Sequence, residues 1–181
     1  MTERKKKKKQ NLIIVNTGEG KGKTTAAMGT AFRTLAHGGR VAVVQFLKSP
    51  DDYRYGERKL ADRWENFDLF TMGAGFTWKT QDRDLDIRTT LKTWEKCKEI
   101  VRTGDYDLII WDEINYVIDY GFLAEQEVLD FLPEAHSVHL ILTGRNATEK
   151  IMAAADLVTE MKNVKHPFRE QGIKAQKGIE W

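Results

Sequence analysis

Short apolar runs recur along the chain, each closed by polar or glycine-rich residues. They are Leu12–Asn16, Arg40–Leu47, Phe67–Met72, Leu108–Trp111, His139–Thr143 and Leu157–Met161. Several are continuous rather than alternating, as expected of strands covered on both faces. Between them the apolar period lengthens. From Thr24, Ala27, Ala31 and Leu35 with Met28 and Phe32 predict a helix that stops at Gly38-Gly39. Asp84 to Thr103 predicts a long helix with Leu85, Ile87, Leu91, Trp94, Cys97 and Val101 as its apolar stripe. Shorter helices are predicted over Asn115–Tyr120, Glu125–Leu132 and Thr148–Ala155. Alternating strand and helix predicts an α/β fold: an open, mostly parallel sheet with helices on both faces and right-handed crossovers. In such a sheet ligands gather at the C-terminal strand ends.

Composition narrows the class. The 181 residues suit one domain, and 29 Lys+Arg nearly balance 27 Asp+Glu. Six of the basic residues and one acid fall in residues 1–10, leaving 23 basic and 26 acidic residues in the remainder. Residues 1–10 therefore read as a basic disordered tail and 11–181 as a single domain. The slightly acidic body gives no reason to expect nucleic acid as a partner. The tail lacks the apolar core of a secretory signal, and no run approaches the ~20 apolar residues of a membrane helix. Cys97 is the one cysteine, which excludes an internal disulfide and a multi-cysteine zinc site. A cytoplasmic enzyme is the expected class.

The chemistry starts directly after the first strand. Thr17-Gly18-Glu19-Gly20-Lys21-Gly22-Lys23-Thr24-Thr25 is a glycine-rich turn between a strand and a helix, the context of a P-loop. Its amides can cradle phosphates, Lys23 can reach phosphate oxygens, and the Thr24 hydroxyl can ligate Mg²⁺ or Mn²⁺. The helix that follows points its positive end at the same place. Thr17 stands where the usual pattern has its first glycine. The fourth strand ends in Asp112-Glu113, four apolar residues followed by two acids, which is the Walker B pattern of a metal site. Either acid can serve; Glu113 is a direct ligand or the group that prepares a water. These motifs predict a RecA-like P-loop NTPase fold. Phe76 and Trp78, on a loop with Gly73 and Gly75, either anchor that loop in the core or form a platform for a flat ligand. Arg145, after the fifth strand, is a phosphate or ligand contact or else half of a surface ion pair. Cys97, inside a helical stripe, reads as packing. The four histidines form no zinc-ligand pattern.

Several motifs together resemble one family. Thr17–Thr25, Val44-Gln-Phe-Leu-Lys48, Met72-Gly-Ala-Gly-Phe-Thr-Trp78, Asp112-Glu113, Thr143-Gly-Arg145, Val164-Lys-His-Pro-Phe168 and Gly172–Glu180 are similar, in this order, to P-loop ATP:corrinoid adenosyltransferases. The resemblance spans roughly residues 12–181. It implies transfer of the 5′-deoxyadenosyl group of ATP to the Co(I) of a corrinoid, cobalamin or cobyrinic acid a,c-diamide, with release of triphosphate. It implies that ATP lies reversed in the loop, presenting C5′. Lys23 would be catalytic, with Mg²⁺ on Thr24 and Glu113 or Asp112. Phe76 and Trp78 would pack below the corrin, displace its lower axial ligand and ease reduction of Co(II). A homodimer and an electron-donating reductase such as a flavoprotein complete the expectation. Two other readings compete. A generic RecA-like ATPase or kinase leaves the Gly-Phe-Thr-Trp and C-terminal motifs unexplained. A nucleotide-dependent nucleic-acid or partner-binding switch would have to use the Lys5–Lys9 tail.

Overall fold

The computed structural model describes residues 10–50, 55–75 and 82–180. Six strands form one all-parallel sheet: β1 Ile13–Thr17, β2 Val41–Gln45, β3 Phe67–Thr71, β4 Leu108–Asp112, β5 His139–Thr143 and β6 Leu157–Glu160. Their spatial order is β3-β2-β4-β5-β1-β6. The helices are α1 Lys23–Ala36, α2 Gly56–Ala61, α3 Arg83–Thr103, α4 Ile114–Asp119, α5 Glu125–Ala135, α6 Glu149–Ala153 and α7 Pro167–Gln171. The open parallel sheet expected from the alternating pattern is present, with each predicted strand within a few residues of its place.

Successive side chains on a strand face opposite sides, so the central strands fill two cores. Val15, Ala42, Val44, Ile109, Trp111, Leu140 and Leu142 face α3 and α5. Val41, Val43, Leu108, Ile110 and Ile141 face Ala27, Met28 and Ala31 of α1. β4 is buried along its full length, which is why its sequence shows no polar alternation until Asp112. β6 lies at the sheet edge and all four of its residues are exposed.

The long helix keeps Trp94, Cys97 and Val101 of its predicted stripe in the core, with Ile87 half-buried, and departs from it at Leu85 and Leu91. Asp82 caps it, accepting from the Leu85 amide at 2.9 Å, and Gly104 ends it at φ 70°. Its buried face carries Asp86, Thr90, Thr93, Trp94, Cys97, Ile100 and Val101, while Leu85 and Leu91 are exposed. Trp94 sets the rotation: its ring meets Trp111 edge-on at 5.2 Å and Phe131 at 5.5 Å. Thr93 tolerates burial because its hydroxyl bonds the Thr89 carbonyl at 2.8 Å. Cys97 is fully buried in this core, as a packing residue should be. On α1, Phe32 is half exposed and rests edge-on against Trp64 at 5.2 Å. α5 runs through Pro133 to Ala135, past the predicted end at Leu132. Helices α2 and α7, five or six residues each, lack enough turns to show a period and have no counterpart in the sequence reading.

Beyond the strand ends the loops are pinned to one another. The Gly73 amide donates to the Lys48 carbonyl at 2.9 Å. A Cβ on Gly73 would lie 2.4 Å from the Leu47 carbonyl carbon and 2.5 Å from the Phe46 oxygen. Both are backbone atoms, so the loops after β2 and β3 would have to separate. Gly73→Ala should therefore cost about 1–3 kcal/mol in urea unfolding, the range of an overpacked core. A loss below measurement error would mean that the two loops yield freely.

Candidate functional site

The registers place one polar residue on each strand in the last row of the sheet. Gln45 pairs with Thr71 on one side and Asp112 on the other; Asn16 pairs with Thr143 and with Thr159. The parity of each strand turns this row to the α1 face, where α1 begins. Asp112 sits in the middle, fully buried. Its Oδ1 accepts from the hydroxyls of Thr24 at 2.7 Å and Thr143 at 2.8 Å. Its Oδ2 accepts from Gln45 Nε2 at 3.2 Å and lies 3.6 Å from the Lys48 ammonium. A carboxylate taken out of water needs such partners, and this one has them on both oxygens. Burial pulls the Lys48 pKa down, but Asp112, Glu57 and Glu113 outweigh it and the pKa rises, so Lys48 stays charged.

Glu113 is placed differently. Its backbone adopts φ 70°, which turns the chain out of β4 into α4, and its amide donates to Thr143 Oγ1 at 2.9 Å. Its carboxylate oxygen Oε2 is buried and has no hydrogen-bond partner among the described residues. Burial first, and then the charge of Asp112, push its pKa up to about 7, against the pull of Lys48 and Lys23. Glu113 and Thr24 line the same cleft. An orphaned carboxylate oxygen near a threonine hydroxyl is a hard-oxygen donor set of the kind Mg²⁺ or Mn²⁺ takes. Among the described residues no group of three or more His, Cys, Asp or Glu could hold a metal by itself.

The glycine-rich turn is built against the C-terminal part of the chain. Gly18 and Gly22 hold φ 93° and 107°, and Gly20 donates its amide to the Met161 carbonyl at 2.6 Å. A Cβ on Gly18 or Gly20 would come within 2.5–2.9 Å of the Met161 and Lys162 backbone or the Glu160 side chain, so glycine is a packing requirement here too. Thr17 is buried, and its hydroxyl accepts from the Ala147 amide at 3.1 Å, which ties the turn to the loop after β5. Lys23 Nζ folds back on the carbonyls of Gly18, at 2.7 Å, and Gly20. Burial and then the charge of Arg145 lower its pKa. Arg145 Nη1 lies 3.1 Å from Glu19 Oε2, and Lys21 pairs with Glu180.

Above the turn opens a cleft of about 480 Å³. Lys21, Lys23, Lys48 and Arg145 supply its positive charge, and Glu57, Glu113 and Glu180 line it as well. Thr24 and Thr25, in the first turn of α1, line it too. The structure thus brings Gly20, Lys21, Lys23, Thr24, Thr25, Glu113 and Arg145 around one cavity, and places Asp112 behind Thr24. Arg145 forms the ion pair that was one alternative from sequence, and it also lines the cavity. Phe76 and Trp78 lie outside the described residues. Lys48, Gln45, Thr143, Tyr116 and Glu180 also belong to the site; sequence reading assigned them no role. For Gln45 a signal existed: it is the one polar residue of β2.

Comparison with known proteins gives a consistent result. Residues 9–181 match the family described as ATP:corrinoid adenosyltransferase BtuR/CobO/CobP. A corrinoid adenosyltransferase of a Sinorhizobium species is 48% identical over 95% of this chain and 81% of its own length. Those of Escherichia coli K12 and Salmonella typhimurium are each 40% identical over 95% of this chain and 86% of theirs. Among solved structures, a KaiC-like protein of Pyrococcus horikoshii superposes with TM-score 0.53 at 16% identity, covering 86% of this chain and 76% of that one. That likeness concerns the RecA-like fold alone. Among the described residues no helix is long and apolar enough to cross a membrane.

The raised Glu113 pKa sets a pH dependence. Between its ordinary value of 4.5 and about 7, the folded protein keeps a proton that the unfolded chain has released. Stability of the metal-free protein contributed by this group therefore falls as pH rises through that window. Melting temperatures from pH 4.5 to 8 should show a steeper decline in the parent than in Glu113→Gln, and Mg²⁺ should recover more stability at pH 8 than at pH 5. Parallel curves for the two proteins would mean that Glu113 does not titrate there.

Proposed function

We infer the chemistry of the site from one premise: the chain belongs to the ATP:corrinoid adenosyltransferase family and transfers the adenosyl group of ATP to a corrinoid. The observation that carries this reading into the structure is the glycine-rich turn and Lys23 opening on a cleft walled by the unpartnered Glu113 carboxylate. In the proposed reaction Co(I) of the corrinoid attacks C5′ of ATP. Cobalt supplies both electrons of the new Co–C bond, and the C5′–O bond breaks to release triphosphate. No proton is taken from either substrate, so no general base is required. What the site must do is hold C5′ toward the cobalt and stabilise charge gathering on the leaving phosphates.

The turn Thr17–Thr25 binds the phosphate chain, with its amides and Lys23 as the principal donors. For this, Lys23 exchanges its loop carbonyl partners for phosphate oxygens. Arg145 and Lys21, at present paired with Glu19 and Glu180, are the next cations within the cleft. Thr24 and Glu113 are the residues that would hold Mg²⁺ or Mn²⁺, with Asp112 orienting the Thr24 hydroxyl, and the ion would add positive charge beside the leaving triphosphate. Phe76 and Trp78 pack below the corrin and displace its lower axial ligand, which makes Co(II) easier to reduce. An electron-donating reductase, such as a flavoprotein, supplies that electron. The active form is a cytoplasmic homodimer, with residues 11–181 as one catalytic domain preceded by a basic tail.

Two substitutions test the assignment. Trp78→Ala should lower turnover from Co(II) about tenfold more than turnover from chemically reduced Co(I), a difference of roughly 1.4 kcal/mol in barrier. Equal losses in the two assays would remove the ligand-displacement role. Lys23→Ala should lower both by roughly 10²–10³-fold, the usual effect of deleting one donor to developing charge. Retained activity would remove the glycine-rich turn from the chemistry.

A further inference from the structure

The polar row at the top of the sheet continues past the nucleotide cleft to β3, the strand at the sheet edge. Thr71 Oγ1 donates to Gln45 Oε1 at 3.0 Å, and Gln45 Nε2 donates to Asp112 Oδ2 at 3.2 Å. A carboxamide has one accepting end and one donating end. The Thr71 hydroxyl, by taking the oxygen end, leaves the NH₂ end for the carboxylate. Reversed, the amide would press an oxygen lone pair on a buried anion. Gln45 is buried, so water cannot substitute for either partner.

Thr71 is also the last residue of β3, and the stem of the next loop is fastened to the same strand end. Met72 donates its amide to the Gln45 carbonyl at 3.2 Å, and Gly73 donates to the Lys48 carbonyl at 2.9 Å. Lys48 in turn holds its ammonium 3.6 Å from Asp112 Oδ2. The loop stem thus reaches Asp112 by two short routes, one through Gln45 and one through Lys48, and Asp112 meets Thr24 of the nucleotide turn directly. Among the described residues β3 has one neighbouring strand, β2. A shift at its C-terminal end is therefore carried to the Asp112 carboxylate.

We propose that Thr71 and Gln45 are positioning residues that couple the loop after β3 to the nucleotide site, so that corrinoid and Mg-ATP each tighten the binding of the other. The proposal rests on the reading that places the corrinoid against Phe76 and Trp78, which follow this stem in the chain. Thermodynamic linkage makes the two effects equal.

Co(II) corrinoid is not nucleophilic enough to react, so both natural substrates can be used at equilibrium. Mg-ATP is titrated by calorimetry into the full-length protein, with and without saturating cob(II)alamin. In the parent protein the corrinoid should tighten Mg-ATP by roughly fivefold or more, the lower bound of common coupling. Thr71→Val keeps the shape and removes the donor; coupling should fall below about twofold while affinity for Mg-ATP alone stays within about twofold. Thr71→Ser should restore the coupling. Gln45→Met should also abolish it and, by stripping a donor from Asp112, weaken Mg-ATP alone. A merely structural role would lower melting temperature or both affinities together and leave their ratio intact. The parent ratio surviving in Thr71→Val, with corrinoid bound, would overturn the proposal and leave the adenosyltransferase reading standing. Failure of the parent protein to bind cob(II)alamin at all would overturn both.

Discussion

A carboxylate with no exposure to water dictates the arrangement of the whole upper edge of the sheet. Asp112 ends the central strand β4, and each of its oxygens has to be matched by donors. Four side chains meet that demand, from four different places in the chain: Thr24, Gln45, Lys48 and Thr143. Register brings Gln45 and Thr143 beside it, because a parallel sheet aligns the last residues of these strands; Thr24 comes from the first turn of α1 and Lys48 from the loop after β2. The apolar rows below fix the register, since a slip of one residue would exchange the two cores. Packing in the interior thereby sets the position of the Thr24 hydroxyl at the cleft.

Asp112 and Glu113 are neighbours in sequence with opposite situations. One is satisfied by the protein; the other is half-buried, with its buried Oε2 left open and a pKa pushed up to about 7. Leaving such a group unpaired costs stability, and a bound cation would offset the cost. The glycine-rich turn likewise carries a packing requirement of its own. Gly18 and Gly20 lie against the backbone of Met161 and Lys162, so the segment after β6 acts as the outer wall of the turn. Lys21, within the turn, pairs with Glu180 near the end of the same C-terminal segment.

Much of the fold was legible because the apolar runs report burial directly. Strand positions, the turn at Thr17–Thr25 and the acidic pair at Asp112-Glu113 depend on residues close together in the chain. The rotation of α3 was legible in its C-terminal half, through Trp94, Cys97 and Val101, and not at its start. Leu85 and Leu91 have the apolar character of core residues, but Trp94, Trp111 and Phe131 lock the helix with threonines inward. Nor could spacing show that Thr17 holds the Ala147 amide or that Gln45 bridges Thr71 to Asp112. Those contacts join segments 130 and 67 residues apart or lie across strands that are not adjacent in sequence. The family motif containing Gln45 and Lys48 was visible as a resemblance; its physical reason emerges only from the sheet register.

The most direct test of the account is the fate of ATP in a single anaerobic turnover with cob(I)alamin and Mg²⁺. The account requires light-sensitive adenosylcobalamin and triphosphate in equal amounts, with the phosphate chain leaving intact. ADP and inorganic phosphate with an unchanged corrinoid spectrum would contradict it, and would make the cleft around Lys23 and Glu113 that of an ordinary ATP-hydrolysing enzyme.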